Sequence, residues 1–351
     1  MPEPKQDTPL PGEEAAISAV ADLLARTVRA TCRPGVIVRR DAHPKHHACV
    51  EARVTIHEAI AADLRHGIFS APSSFDAWIR FSNGAPDIRH DNRRDARGMA
   101  IKLLDVRAPG ARAGDPPLTQ DFVLSSDRGF FVRNAIDYVA FARAAADPDV
   151  SAVARAARLL SFYFGGFPTE WRLRELRRVL RCLIRIDNPL GIRYYSQTPY
   201  RLGPHAVKYA ARPLTPATAP ASRSAPDFLQ DVMAAQLEQG QAVFELLVQR
   251  WVDDERTPIE DPTTDWDEAV APFEPVARIR IPSQTVKDAV KLTLAENLSF
   301  TPWHALPDHL PLGSINRVRQ RVYDTISIIR HELNGVPRQE PTSLHASEGQ
   351  S

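Results

Sequence analysis

The stretch NRVRQRVYDTISIIRHELN, residues 316–334, sets two arginines and a phenol in line: Arg319, Tyr323 and Arg330. At about 100° per residue, these spacings of four and seven fall within a narrow arc of one helix face. Ile315, Val318, Val322, Ile326, Ile329 and Leu333 form the adjoining stripe, the periodicity of a helix packed on a core. Guanidinium and phenol groups beside such a seam are partly desolvated, which is costly unless an anion meets them. The chemistry this pattern offers is the holding of anions, with a phenol kept next to a cation.

Three earlier stretches also carry reactive types. RRDAHPKHHACVEARVTI gathers His43, His46, His47 and Cys49 within a few residues. It reads as a His-rich surface loop, as an acid/base histidine at the entry to a strand, or as a zinc site whose spacing fits no standard finger. In WIRFSNGAPDIRHDNRRDARGMAIKLLD, alternation puts Arg80 and Ser82 on one strand face. Asp95, Arg97 and Gly98 there read as an ion-paired turn, or as an arginine aimed at a ligand carboxylate. DFVLSSDRGFFVRN runs from a buried strand through Ser125 and Ser126 to the pair Phe130–Phe131, which reads first as core.

The basic segment TEWRLRELRRVLRCLIRI reads as a helix with Trp171, Leu173, Leu176, Leu180 and Leu183 facing the core and its arginines in solvent or at an interface, a reading the balanced whole-chain charge favours over membrane or RNA contact. VDDERTPIEDPTTDW is acidic but lacks calcium-loop spacing, so a structured loop is expected.

The elements that position these residues can be read from pattern. EEAAISAVADLLARTVRAT, AIDYVAFARAA and SAVARAARLLSFYF have helical period. GVIVRR, ACVEARVTI, AWIRFS, GMAIKLLDV, DFVLSS, HAVKYAARPL, AVFELLVQRWV and VARIRIP read as strands. Strands, helices, strands and helices follow one another without regular βαβ alternation, so the expected class is α+β with antiparallel sheet. RPLTPATAPASRSAPD reads as an exposed loop. Residues 1–12 and 336–351 read as loose tails around a single domain, 13–335.

Bulk properties narrow the class. A chain of 351 residues, 43% hydrophobic and 25% charged, is long and apolar enough for a substantial core. A net charge of +1 gives no global argument for nucleic acid or an anionic membrane as a partner. No apolar run is long enough for a transmembrane segment, and the first residues lack a secretory pattern. Cys32, Cys49 and Cys182 make no disulfide framework. A cytoplasmic location is the expectation.

Taken together, these stretches resemble the haem catalase family, in the compact form without the large subunit's extra C-terminal domain. The likeness rests on Arg40-x-x-His43, IRFS, RDARGMAIK, DFVL followed by FFVRN, SQTPYRLG and Arg319-x-x-x-Tyr323, in that order from about Val36 to Asn334. It is nearest to small catalase-related peroxidases and catalase-like allene oxide synthases.

The resemblance implies a closed antiparallel β-barrel of about eight strands with surrounding helices, its inward face presenting His43 and Ser82. It implies haem b as cofactor, with Tyr323 as the phenolate ligand of iron and Arg319 one turn earlier keeping it ionised. Arg40, Arg80 and Arg330 match positions that pair with the propionates, and Phe131 and Tyr138 match aromatics of the haem pocket. His43 matches the distal histidine, fixed by Ser82. Where catalases place a distal asparagine, the register puts Ser126; before the histidine stands Ala42, where catalases have valine and allene oxide synthases threonine.

These departures lead us to expect weak catalase turnover and peroxidase-type reduction of hydrogen peroxide or organic hydroperoxides, with an electron donor as co-substrate. Rearrangement or lysis of a fatty acid hydroperoxide is the rival reading, and a haem-binding protein without catalysis is a third. A homo-oligomer is compatible with all three.

Overall fold

The computed structural model describes residues 7–33, 35–107, 118–168, 171–338, 340–341 and 343–344. Alternating β-branched and aromatic residues give the long strands β1 (His46–Ile56), β2 (Ser74–Asn83), β3 (Arg97–Val106) and β4 (Leu118–Ser125). After three helices come the short β5 (Tyr194–Tyr195) and β6 (Tyr200–Leu202), then β7 (His205–Pro213), β8 (Ala242–Arg250) and β9 (Phe273–Ile281). All pairings are antiparallel, in the order β5-β4-β3-β2-β1-β9-β8-β7, and β5 pairs again with β7. Those eight strands therefore close a barrel, which leaves no free edge among them. β6 pairs with β7, beside β5 on the same edge, and its Tyr200 bridges Pro311.

One face of every barrel strand fills the interior. Val50, Ile79, Phe81, Ile101, Phe122, Tyr194, Tyr209, Phe244 and Ile279 belong to one buried cluster. Arg80 and Ser82 alternate with Ile79 and Phe81, so they point out of the barrel. The expectation that His43 and Ser82 face inward is thus corrected: the interior is packed solid, and the polar face of β2 looks toward the helices.

Those helices form the second layer. α1 (Glu13–Thr31) carries Glu13 and Glu14 in its first turn and Arg29 in its last, matching the helix dipole. Its stripe of Ile17, Val20, Ala21, Leu24 and Val28 packs on Val318, Val322, Ile326 and Ile329 of α7 (Ser314–Asn334). Arg317 of α7 pairs with Glu13, Glu260 and Asp7, the last from the stretch read as a tail. α7 ends at Gly335, whose positive φ of 63° lets the amides of Gly335 and Val336 bond Glu332 and His331 carbonyls. Between β4 and β5 lie α2 (Ala135–Ala145), α3 (Ala152–Phe164) and α4 (Leu173–Cys182). α5 (Phe228–Gln239) and α6 (Ala289–Asn297) complete the set. No helix among the described residues is long and apolar enough to cross a membrane.

The sequence reading also missed the short β5 and β6, and it differs from the fold at three further places. GVIVRR forms no strand: Val36 and Ile37 are exposed, and Val38 pairs instead with the side-chain amide of Asn334. α5 and α6 were not read as helices. α4 is rotated relative to expectation: Leu176 packs on the core as expected, but Trp171, Leu173 and Leu180 are exposed while Arg178 is buried. Its guanidinium meets Asp127 at 3.0 Å and Asp265 at 2.7 Å, two carboxylates from distant segments. The acidic loop is structured as expected; Asp253 caps its own turn and Trp266 donates to the Pro258 carbonyl.

Candidate functional site

Between the outer face of β2–β4 and the inner face of α7 lies an open-mouthed cavity of about 290 Å³. Its sheet wall is set by register. Ser82 pairs with Gly98 and Gly98 with Ser125, so the three lie in a row on the outward face of adjacent strands. His43 sits over that row, with Nδ1 3.0 Å from Ser82 Oγ. A Cβ on Gly98 would come within 2.7 Å of His43 Nδ1 and 2.8 Å of Ser82 Oγ, so only glycine admits the imidazole here.

His43 itself has φ of 60°, in the left-handed region that costs a non-glycine residue strain. Its N–H bonds the Gly84 carbonyl, and its own carbonyl accepts from Arg80 Nη2 at 2.8 Å. Burial, then the charges of Arg80, Arg319 and Arg40, push its pKa down to about 4. The ring is therefore neutral near pH 7.

A second group of residues makes a cationic end. Arg40 Nη2 donates to the Leu298 carbonyl (2.5 Å), Arg80 Nε to Ala295 (3.2 Å) and Arg330 Nη2 to Glu296 (2.6 Å). These are the last carbonyls of α6 and its capping residue, which a helix leaves without internal partners. The C-terminus of α6 is thus the scaffold that gathers three guanidiniums from three different elements. Arg40 Nη1 and Arg330 Nε remain buried without partners, and all three side chains line the cavity.

Burial lowers the pKa of each of these arginines, that of Arg80 to about 10. Nearby, burial works against the charge of Glu296. The hydrogen bond from His46 and the charges of Arg40 and Arg80 outweigh it and hold that carboxyl at about 2. Asp41 also lines this end, its pKa raised by burial; sequence reasoning passed over it because nothing in its spacing marks it.

The helix wall carries the phenol. Arg319 Nη2 donates to Tyr323 Oη at 3.3 Å, while Nη1 donates to Thr198 Oγ1 and Asn316 Oδ1, both at 3.2 Å. Burial lowers the Arg319 pKa, but the phenols of Tyr323 and Tyr200 outweigh that and raise it. Its hydrogen-bond partners are neutral oxygens and a phenol, so no carboxylate bonds its charge among the described contacts.

Phe130 and Phe131 stack at 4.4 Å, and Tyr138 meets Phe131 edge-on at 5.6 Å. All three line the cavity beside Val322 and Ile326. At the far end stand Asp127, Arg178, Cys182 and Gln197.

The structure therefore brings together His43, Ser82, Arg40, Arg80, Phe131, Tyr138, Arg319, Tyr323 and Arg330 around one cavity. It does not bring Ser126. That hydroxyl accepts the backbone N–H of Arg97 at 3.0 Å and is absent from the cavity wall, whereas Ser125 lines it. The correction is a one-residue step at the end of β4, where alternation reverses the face. His46 and His47 do not join His43: one pairs with Glu296 and the other with Asn83. Arg97 is structural, bonding Asn83 and the carbonyls of Asp91 and Arg93.

The donor set fits a flat, apolar group with anionic arms and a Lewis-acidic centre. Buried guanidinium N–H groups lack partners at one end, aromatic and aliphatic side chains line the middle, and a phenol beside a cation faces a neutral imidazole.

No protein-family model matches the chain, and no curated protein does. Solved structures do match in fold. A fungal catalase aligns with a TM-score of 0.65 at 15% identity, over 86% of this chain and 60% of its own. A bacterial catalase gives 0.64 at 13% identity, over 88% and 61%. Catalase A from Saccharomyces cerevisiae gives 0.63 at 16%, over 86% and 64%. The chain thus has the catalase fold, and it spans less than two-thirds of the length of each of these structures.

Proposed function

We propose that this chain is a haem b-dependent hydroperoxidase that cleaves the O–O bond of hydrogen peroxide or organic hydroperoxides, with little catalase turnover. The observation that carries the reading is the pairing, across one cavity, of the Arg319–Tyr323 couple at 3.3 Å with the His43–Ser82 couple at 3.0 Å. Tyr323 would hold the iron and Arg40, Arg80 and Arg330 the two propionates, with Phe131 and Tyr138 packed on the macrocycle. When bound, ferric haem supplies a Lewis acid and a redox-active ring.

The residues of the chain supply the rest. A free phenol has a pKa near about 10, so ligation as phenolate at neutral pH needs a cation beside it. Arg319, whose other partners are uncharged, serves that purpose. His43, neutral and fixed through Nδ1, takes the proton from one hydroperoxide oxygen and returns it to the departing one. Reduction of the remaining oxygen to water takes two electrons from an external donor and two further protons, from that donor or from solvent. Ser125, on the cavity wall next to Gly98, offers one short hydroxyl for orienting the bound peroxide, which supports weak oxygen release.

The test is haem-loaded protein assayed side by side for oxygen evolution and for oxidation of a dye donor. Donor oxidation well above oxygen release is expected, with the phenolate-ligated ferric spectrum. Vigorous oxygen evolution would remove the peroxidase assignment, and turnover of a fatty acid hydroperoxide without any donor would replace it with rearrangement.

A further inference from the structure

The face opposite the cavity on α3 and α4 is unusual for a protein surface. Leu159 of α3 and Leu176 of α4 both pack on the cluster around Phe130, Phe162 and Tyr163, so the two helices cover one core and turn their other sides outward together. On α3 that outward side is apolar: Val153 is 82% exposed, Leu160 62%, and Phe164 is exposed where it meets Trp171 edge-on at 5.4 Å. On α4 it is a stripe of Leu173, Arg174, Arg177, Leu180 and Arg181, with Leu180 59% exposed. Scattered exposed leucines need no explanation, but exposed apolar side chains recurring at helical spacing on two consecutive helices do.

Charge says what covers it. Residues 151–185 contain eight arginines and two glutamates, in a chain whose net charge is only +1. Arg158, Arg172, Arg174, Arg178 and Arg181 have aspartate partners. Arg177, in the centre of the outward stripe, has no carboxylate partner among the described contacts. Apolar and aromatic side chains interleaved with arginines on an exposed helical face suit the boundary of an anionic bilayer, where the rings and leucines enter the acyl edge and the guanidiniums meet phosphates. A second copy of the same chain fits less well, since a two-fold contact would set this basic stripe against itself.

We propose that the outer face of α3 and α4 docks this protein, in the plane of the interface, on membranes containing anionic phospholipid. Docking is independent of haem and of the activity proposed above. α4 is also a wall of the cavity, through Arg178 and Cys182, so its two sides would look on bilayer and cavity.

The full chain is mixed with vesicles of phosphatidylcholine alone and of phosphatidylcholine with phosphatidylglycerol, and bound protein is measured by co-sedimentation. Binding to the anionic vesicles only, weakening as salt is raised, is expected. The double variant Leu160→Ser/Leu180→Ser should bind about tenfold less tightly. Arg177→Glu/Arg181→Glu should lose at least about tenfold. Val290→Ser, at an exposed apolar position on α6, should bind like the parent chain. All four positions changed in the double variants are exposed, and circular dichroism checks their folding. No binding to anionic vesicles, or equal binding by well-folded double variants, overturns the proposal. So does a solution dimer that the same substitutions dissociate, which would assign the face to a second copy.

Discussion

α4 and α7 are both arginine-bearing helices with leucine or isoleucine at helical spacing, and they end up opposite ways round. On α7 the apolar stripe is buried against α1, and Arg319 and Arg330 lie at its edge facing a cavity. On α4 the leucines at 173 and 180 face outward, and an arginine, Arg178, is driven inside between Asp127 and Asp265. Periodicity alone finds the two faces of a helix. Which face is buried depends on what the rest of the chain presents to it, and two acids outweighed two leucines on α4.

That contrast can be broken by experiment, and the largest effect falls on α7. Tyr323→Phe should abolish phenolate ligation of haem, read in the ferric spectrum, with activity lost; unchanged coordination would show that α7 carries no ligand there. His43→Ala, across the cavity, should lower the rate of hydroperoxide cleavage by about 10²–10⁴-fold while leaving that spectrum largely intact. On α4 the matching test is Arg178→Leu. It leaves two carboxylates without their shared cation and should cost about 3–5 kcal/mol in denaturant unfolding. Leu180→Ala, on the outer face, should shift stability by less than about 0.5 kcal/mol, whereas Ile326→Ala on α7 should cost about 2–5 kcal/mol. If Leu180 proved as costly as Ile326, the orientation of α4 would be wrong.

The smallest effect is in acid titration, and its sign differs between the two regions. Burial works against the charge of Glu13, but hydrogen bonds and charge from Arg317 of α7 hold its pKa below the ordinary 4.5. That contact is stabilising above pH 4.5 and is lost as pH falls through the lowered value. Asp127 on the α4 side is the reverse: burial raises its pKa above 3.8 despite Arg178, so the folded state gains as the group takes up its proton and loses that gain as pH rises through the folded value. Glu13→Gln should flatten the loss of melting temperature between neutral and acid pH, and Asp127→Asn should steepen it.

Much of this was legible because it is local. Seven of the eight barrel strands (all but the two-residue β5), α1, α2 and the in-line Arg319, Tyr323 and Arg330 follow from alternation or from helical period. The pocket residues Arg40, His43, Arg80 and Ser82 could be named from short motifs. What could not be read depends on partners far along the chain. Nothing in KDAVKLTLAEN says that the end of α6 will collect guanidiniums from residues 40, 80 and 330. The left-handed φ of His43 is imposed by contacts with Gly84 and Arg80 rather than by its neighbours in sequence. Ser125 was missed by a single step, since two adjacent serines at a strand end differ only in which face they take.

Arg80 joins parts of the site that would otherwise be separate. From the middle of β2 its fork grips the Ala295 carbonyl with one nitrogen and the His43 carbonyl with another. Lysine at this position could reach either acceptor but not span both. The anchor of the cationic end and the posture of the imidazole are therefore hung on one planar side chain, and loosening either would be felt at the other.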